Sequence, residues 1–294
     1  MRRAALLYNP AAGGHRAGRL APRLQELFAR EGVTLAPRAT NGPGEATALA
    51  REAAAGDDLD ALFVLGGDGT IREAAAGLLG SALPLGVLPG GTTNVVAGAL
   101  ALPRSPLAAA RRLLARSAPC EVDVGLAGDA PFLMQVSGGL DARALAAVSP
   151  EAKRRWGRLA VIAAGLRVWA RYTFPELTFE ADGVAGSATG VAVCNLSAYA
   201  GRYRLVPGGS WTDRRLDLFL FHGRSRRAAL GFALALVGGR HAGRADVAFR
   251  TVETVTLTGP APLTLQLDGD PVSLAPPLAI RLAPARLVLL APRG

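Results

Sequence analysis

Three short loops carry residues suited to holding phosphate. Gly66-Gly67-Asp68-Gly69-Thr70 follows an apolar run at 62–65 and precedes a helical stripe. Glycines there permit positive φ and close backbone approach, and a helix N-terminus offers unpaired N–H groups to an anion. An aspartate in such a loop repels phosphate, so Asp68 makes chemical sense if it meets a divalent cation bridging the phosphates. The alternative is a tight turn with Asp68 as an N-cap. The other two loops are residues 9–14, opening Asn9-Pro10, and Gly90-Gly91-Thr92-Thr93-Asn94. Three such loops on one sheet edge favour the phosphate reading. Near the end, Asp268-Gly269-Asp270 sets two carboxylates around a dipeptide that favours a type I′ hairpin turn.

Composition removes several classes. The only lysine, Lys153, follows no glycine loop, so neither a Walker A loop nor a protein-kinase strand lysine exists. No Gly-x-Ser-x-Gly elbow occurs. His15, His222 and His241 stand at no zinc-ligand spacing. Cys120 and Cys194 make no disulfide framework and read as small core residues in a reducing compartment. The longest clean apolar run, 228–239, falls short of the ~20 residues a membrane-spanning helix needs. The expected location is cytoplasmic.

The elements that must position the loops come next. Residues 1–120 alternate strands (4–8, 35–38, 62–65, 85–88) with helices (16–30, 44–55, 71–79), the pattern of βαβ units and a parallel sheet. In such sheets ligands bind beyond the carboxyl ends of the strands, where the three loops fall. Residues 121–285 are short alternating segments interrupted by helical stretches near 153–171 and 225–238, which predicts a β-sandwich-like domain with inserted helices. The apolar run 287–290 predicts that residues 286–294 rejoin the first domain.

The loops, with Asn195-Leu196 and Gly201, the segment Asp213-Arg214-Arg215-Leu216-Asp217 and the late Asp268-Gly269-Asp270, resemble the diacylglycerol kinase catalytic superfamily in order and spacing. Its bacterial lipid kinases and the sphingosine kinases look most similar, and the resemblance covers nearly the whole chain. The Gly-Gly-Asp-Gly-Thr loop alone is shared with NAD kinases; joined to Asn-Pro-x-x-Gly and the late Asp-Gly-acid, it is specific. The resemblance implies an ATP- and Mg2+-dependent lipid kinase that phosphorylates a hydroxyl of a membrane lipid such as diacylglycerol. Asn9, Pro10, Gly13, Gly66, Gly67, Asp68, Gly69, Thr70 and Arg72 would cradle ATP, with Thr40, Thr92 and Asn94 as further contacts. Asp213 would be a carboxylate of a structural magnesium site, helped by carbonyls near Ser210 and Arg215 or Leu216, with Asp123 as another carboxylate. The catalytic candidates are Asp68, Asp268 and Asp270, the last two as general base and its partner in an order left open. Three positions depart from the family: Arg214 replaces a turn glycine, Asp270 a glutamate and Val95 an aspartate.

The net charge of +10 suits an acidic partner. Arg143, Lys153, Arg154, Arg155, Arg158, Arg167 and Arg171 face only Glu151 across 143–171, interleaved with Trp156, Ile162, Leu166 and Trp169. Basic groups among aromatics suit an anionic membrane surface, with Arg226, Arg227, Arg240 and Arg244 joining it; a solvated helix face is the alternative. With 5% aromatics and no RNA-binding module, nucleic acid is not the expected partner. The chain is expected to be peripherally membrane-associated, with a homodimer left open. An NAD kinase-like enzyme and a catalytically impaired lipid- or nucleotide-binding protein are the competing functions.

Overall fold

The structure, a computed structural model, describes residues 1–10, 12–149, 151–152, 156–200, 203–259 and 261–293. Lys153, Arg154, Arg155 and Gly201 lie outside the described residues. The chain divides into two compact units, Met1–Val122 with Pro284–Gly294, and Asp123–Ala283.

In the first unit, β1 (Arg3–Tyr8), α1 (Ala12–Arg30), β2 (Thr34–Ala39), α2 (Glu45–Ala55), β3 (Ala61–Gly66), α3 (Asp68–Leu78) and β4 (Leu85–Pro89) alternate. They are followed by α4 (Val95–Ala99), α5 (Pro106–Ala115) and β5 (Ser117–Val122). The second unit holds β6 (Gly125–Ala127), β7 (Ala130–Phe132), β8 (Gln135–Gly138), α6 (Leu140–Ala146), α7 (Arg158–Trp169), β9 (Leu177–Ala181), β10 (Val184–Ala188) and β11 (Gly190–Cys194). After a small ribbon, β12 (Ala198–Tyr199) with β13 (Tyr203–Arg204), come β14 (Leu216–Phe221), α8 (Arg226–Val237), β15 (Val247–Val252), β16 (Thr254–Thr258), β17 (Leu263–Leu267), β18 (Asp270–Leu274) and β19 (Leu278–Leu282). The last strand, β20 (Leu287–Pro292), belongs to the first unit.

The first sheet has the order β2-β1-β3-β4-β20-β5. Strands β1 to β4 and β20 run parallel, and β5 pairs antiparallel with β20 as an edge, so the sheet is mixed. Strand β3 is buried along its whole length, as a central parallel strand covered on both faces must be. Both α1 and α3 begin three or four residues before the apolar stripes that announce them. Both first turns are rich in glycine, which gives apolar periodicity little to show there.

The second unit is a sandwich of two six-stranded antiparallel sheets, β10-β9-β16-β19-β6-β7 and β15-β14-β11-β8-β17-β18. Alternation sorts the side chains of the second sheet. Val191, Val193, Leu216, Leu218, Leu220, Leu265 and Leu267 meet Phe132, Phe179, Val255, Leu257 and Ile280 in the sandwich core. Ala192, Cys194, Phe219 and Phe221 point the other way, into a second apolar cluster with Ala229 and Leu236 of α8. That sheet is therefore buried on both faces. The run predicted as one strand at 132–136 is two, β7 and β8. Asp268 takes the N–H groups of Leu133, Met134 and Gln135, which would otherwise continue a ladder.

Candidate active site

The glycine loops of the first unit fit together backbone against backbone. The Gly90 N–H donates to the Gly66 carbonyl at 2.8 Å. A Cβ on Gly91 would stand 2.6 Å from the Gly67 Cα, which no side chain tolerates. Asp68 opens α3 and Gly67 is its N-cap, so the aspartate does not cap its own helix. Its two carboxylate oxygens instead accept the Val95 and Val96 N–H groups at 3.1 Å each, satisfying the first donors of α4. Asn94, with φ 51°, closes its own loop: Oδ1 accepts the Gly91 N–H and Nδ2 donates to the Gly91 carbonyl, both at 2.8 Å. Asp68 thus ties its loop to the start of α4 and Asn94 closes the Gly91–Asn94 loop, roles that sequence reasoning did not give them.

Other candidates of this unit scatter around the same strand ends. Asn9 and Pro10 follow β1, and Gly13 lies in the first turn of α1 rather than in a loop. Thr40 is buried after β2, its N–H on the Tyr8 carbonyl at 2.9 Å. Thr70 and Arg72 continue α3, and Thr92 is exposed. A cavity of about 670 Å3 lies at the opposite end of the strands, where Met1, Asp60 and Pro84 precede β1, β3 and β4. Ligands of parallel sheets bind at the carboxyl ends, so this cavity is not the site.

In the second unit, Asp268 and Gly269 have φ 51° and 88° and form the two-residue turn between β17 and β18, with Leu267 opposite Asp270. Positive φ at both positions is what a type I′ hairpin requires. The Asp268 carboxylate is buried and accepts from Leu133, Met134 and Gln135 at 2.7–3.0 Å, while its own N–H donates to the Gln135 carbonyl. Asp270 is only partly buried at the start of β18.

The expected metal loop is split. Asp123 is fully buried and faces Arg214, which gives it a backbone N–H at 2.8 Å and a guanidinium contact at 3.2 Å. Asp123 is therefore committed to an ion pair and is not presented to a cation. Arg214 takes φ 61°, the conformation a glycine would supply without strain, and its guanidinium also reaches the Ala283 carbonyl at 3.2 Å. Asp213 is exposed, with Oδ1 accepting the Arg215 N–H; the Arg215 guanidinium turns to Glu253 at 2.8 Å. Ser210 shares its hydroxyl with Thr212, and Leu216 pairs with Val252 in the sheet. Burial pushes the Asp217 carboxyl above the ordinary range, and the charge of Asp213 adds to the shift. Two carboxylates that repel one another fit a hydrated magnesium ion, which keeps several waters and takes one or two carboxylates. Asp213 and Asp217 are close enough for each to feel the other's charge. No group of three His, Cys, Asp or Glu suited to a metal occurs among the described residues.

A second unforeseen feature is a cavity of about 390 Å3 between α6, α7, α8 and the outer face of the second sheet. Ala192, Phe219 and Phe221 floor it, and Ile162, Leu166 and Leu230 border it while remaining exposed to solvent. Its polar wall is Asp141, in the first turn of α6, hydrogen-bonded by the Ser137 hydroxyl at 2.5 Å. Burial raises the Asp141 carboxyl, against the lowering effect of Ser137 and of the Ala142 N–H, and Asp141 lines the cavity. Sequence reasoning missed Asp141 because α6 spans seven residues, too few for a periodic stripe. The one available signal was Gly139, at φ 128°, followed within two residues by an acid.

Residues 3–127 match the diacylglycerol kinase catalytic domain, and residues 134–291 match the YegS C-terminal NAD kinase beta sandwich-like domain. The chain belongs to this family of lipid kinases. A protein of Xanthomonas euvesicatoria pv. vesicatoria, named "Probable lipid kinase YegS-like", is 30% identical over 88% of this chain and 87% of its own. The diacylglycerol kinase of Bacillus subtilis is 27% identical over 92% of this chain and 90% of its own. Among solved structures, a diacylglycerol kinase of Bacillus anthracis superposes with TM-score 0.71 at 21% identity, over 98% of this chain and 96% of its own. A second chain from that organism reaches TM-score 0.82 at 23% identity, over 98% and 94%. Those likenesses establish the two-part architecture of this lipid kinase. No described helix is long and apolar enough to cross a membrane.

Proposed function

We propose that this lipid kinase transfers the γ-phosphate of Mg-ATP to a hydroxyl of an uncharged membrane lipid such as diacylglycerol. The observation that carries the lipid half is the cavity in the second unit. At about 390 Å3 it is within the size range of small-molecule sites, its lining is apolar apart from a few groups, and its rim is itself apolar and exposed. An acyl chain needs such a slot, and a lipid arriving from a bilayer needs such a rim. Leu166 is 61% and Leu234 65% exposed, on α7 and α8 respectively, beside the exposed Arg167, Arg226 and Arg227. Apolar groups beside arginines suit the interface of an anionic membrane. Arg244 is drawn away from them, its Nε and one terminal nitrogen paired with Asp246.

In the first unit the loops at Asn9, Gly66–Thr70 and Gly91–Asn94, with Thr40, Arg72 and Thr92, hold the nucleotide. Phosphoryl transfer needs mainly positioning and charge stabilisation. The backbone N–H groups of the α3 N-terminus supply the latter, with Arg72; a magnesium ion arriving with ATP would add positive charge there. Asp68 holds the loops in register. In the second unit Asp270 takes the proton of the lipid hydroxyl; its oxygen bonds to the γ-phosphorus, the bond to the β,γ-bridging oxygen breaks, and ADP leaves. Asp268, clamped by three N–H groups, positions the turn instead. Asp213 with Asp217 would hold a structural magnesium ion.

The test is incubation of the full chain with γ-labelled ATP, magnesium and vesicles holding diacylglycerol and phosphatidylglycerol. Label extracted with the lipid is expected, and an Asp270→Asn chain should transfer none. Label that stays in the aqueous phase, in a protein that binds ATP, would sink the reading.

A further inference from the structure

One polar chain crosses the outer face of the second sheet and ties the cavity to the turn before Asp270. Ser137 and Gln266 stand directly opposite each other on β8 and β17. Their neighbours Val136, Leu265 and Leu267 fill the sandwich core, so alternation turns Ser137 and Gln266 toward the α6 side. Both are almost completely buried, at 3% and 1% exposure. The Gln266 amide bridges two partners: Oε1 accepts the Gly269 N–H at 2.6 Å, and Nε2 donates to the Ser137 hydroxyl oxygen at 2.7 Å. Ser137 then donates to Asp141 at 2.5 Å.

The direction of this chain is fixed. Gly269 N–H can only donate, which sets the oxygen of Gln266 toward the turn and its NH2 toward Ser137. Ser137 must accept there, so its single proton goes to Asp141. The order Gly269 to Gln266 to Ser137 to Asp141 admits no reversal without leaving a buried polar group unpaired, which is costly. An apolar residue at 137 or 266 would serve packing equally well. The polar pair serves a connection.

We propose that Ser137 and Gln266 are positioning residues that couple the carboxyl in the apolar cavity to the Asp268–Asp270 turn, so that a lipid head seated at Asp141 sets the placement of Asp270. The clamp on Asp268 fixes one side of the turn to the start of β8, and the Gln266 bridge fixes the other side to Asp141. A lipid hydroxyl that donates to Asp141 competes with Ser137 for the same carboxyl as acceptor. The bridge carries that change to Gly269. The kinetic part of this inference rests on the proposed lipid-kinase reading; the coupling itself does not.

Two measurements separate them. Hydrogen exchange of the Gly269 amide is compared in the full wild-type chain and in Ser137→Ala, Asp141→Ala and Asp141→Asn variants, without lipid. Breaking the relay should speed that exchange by about tenfold, the size of one lost hydrogen bond, in Ser137→Ala and Asp141→Ala. Asp141→Asn keeps an acceptor for Ser137 and should restore the wild-type rate. A purely structural role predicts equal changes at amides across β16 instead. Unchanged Gly269 exchange in Asp141→Ala, or no recovery in Asp141→Asn, overturns the coupling. Should Ser137→Ala fail to fold, the two Asp141 variants decide alone.

The second measurement is turnover of dioctanoylglycerol with Mg-ATP. Ser137→Ala should lose about tenfold in kcat with the KM for ATP unchanged. A wild type that labels the lipid beside a Ser137→Ala chain of equal kcat overturns the positioning role. A wild type that labels no lipid removes the lipid-kinase reading, and Gly269 exchange still decides the relay.

Discussion

The two units solve recognition in opposite ways. In the first, contact surfaces are main chain: glycines at 66, 67, 90 and 91 bring two loops together, and Asp68 and Asn94 spend their side chains on N–H groups of those loops. In the second, contact surfaces are side chains: Phe219, Phe221, Ile162, Leu166 and Leu230 enclose a cavity whose few polar groups include Asp141, Ser137, Thr189 and Tyr199. A backbone site is harmed by atoms that are added. A side-chain site is harmed by atoms that are removed or charged.

Substitutions can break that contrast. The largest effect is expected at Arg214→Gly. The glycine relieves a positive φ worth roughly 1 kcal/mol, yet it strips the guanidinium from a fully buried Asp123. Breaking a fully buried pair costs about 3–5 kcal/mol, but the Arg214 side chain is 42% exposed and the backbone N–H to Asp123 survives, so urea unfolding should report a smaller net loss of about 2 kcal/mol. A gain in stability would mean that the buried aspartate needs only the backbone N–H. Next comes Gly91→Ala, where one methyl meets the Gly67 Cα. Overpacking of about 1–3 kcal/mol must be relieved by parting the loops. ATP affinity should fall about tenfold or more by calorimetry, while a lipid analogue should bind the second unit unchanged. Equal loss of both would erase the distinction between the units.

Leu166→Glu tests the opposite case. It adds charge to the cavity rim and should raise the apparent KM for vesicle-borne diacylglycerol about tenfold, leaving the KM for ATP untouched. The smallest effect belongs to Asp141→Asn. Burial raises the folded-state pKa of Asp141, so the folded chain holds a proton that the unfolded chain releases. Stability from this group is present below the unfolded value near 3.8 and is lost as pH rises through the raised folded value. The asparagine variant should therefore unfold at higher urea than wild type at pH 7, with the gap closing toward pH 4. A gap that widens on acidification would mean that Asp141 is held ionised.

How much was legible in the sequence follows the same division. The alternation of strands and helices and the three loops could be read because glycines and apolar periods are local signals. Even there the purpose of Asp68 could not, since its partners, Val95 and Val96, lie 27 and 28 residues away. The Asp268-Gly269 hairpin was legible as a turn. Its clamp on β7 and β8 was not, being 133–135 residues distant. The cavity was illegible altogether. Phe219 and Phe221 in β14 look the same in sequence whether the cluster around them is solid or hollow. Arg214 was visible as a departure from the family's glycine. The buried aspartate that it answers was not.

The last strand carries a consequence for the order of assembly. β20 lies between β4 and β5 in the first sheet, yet it is synthesised after every residue of the second unit. On the ribosome, the second unit is a contiguous stretch that can complete itself while the first still waits for a central strand. Chains stalled with residue 283 just outside the exit tunnel should resist protease across 123–283 and be cut within 1–122. The nucleotide loops would then be the last part of the molecule to become firm, so that phosphate chemistry begins only once the lipid-facing part is already built.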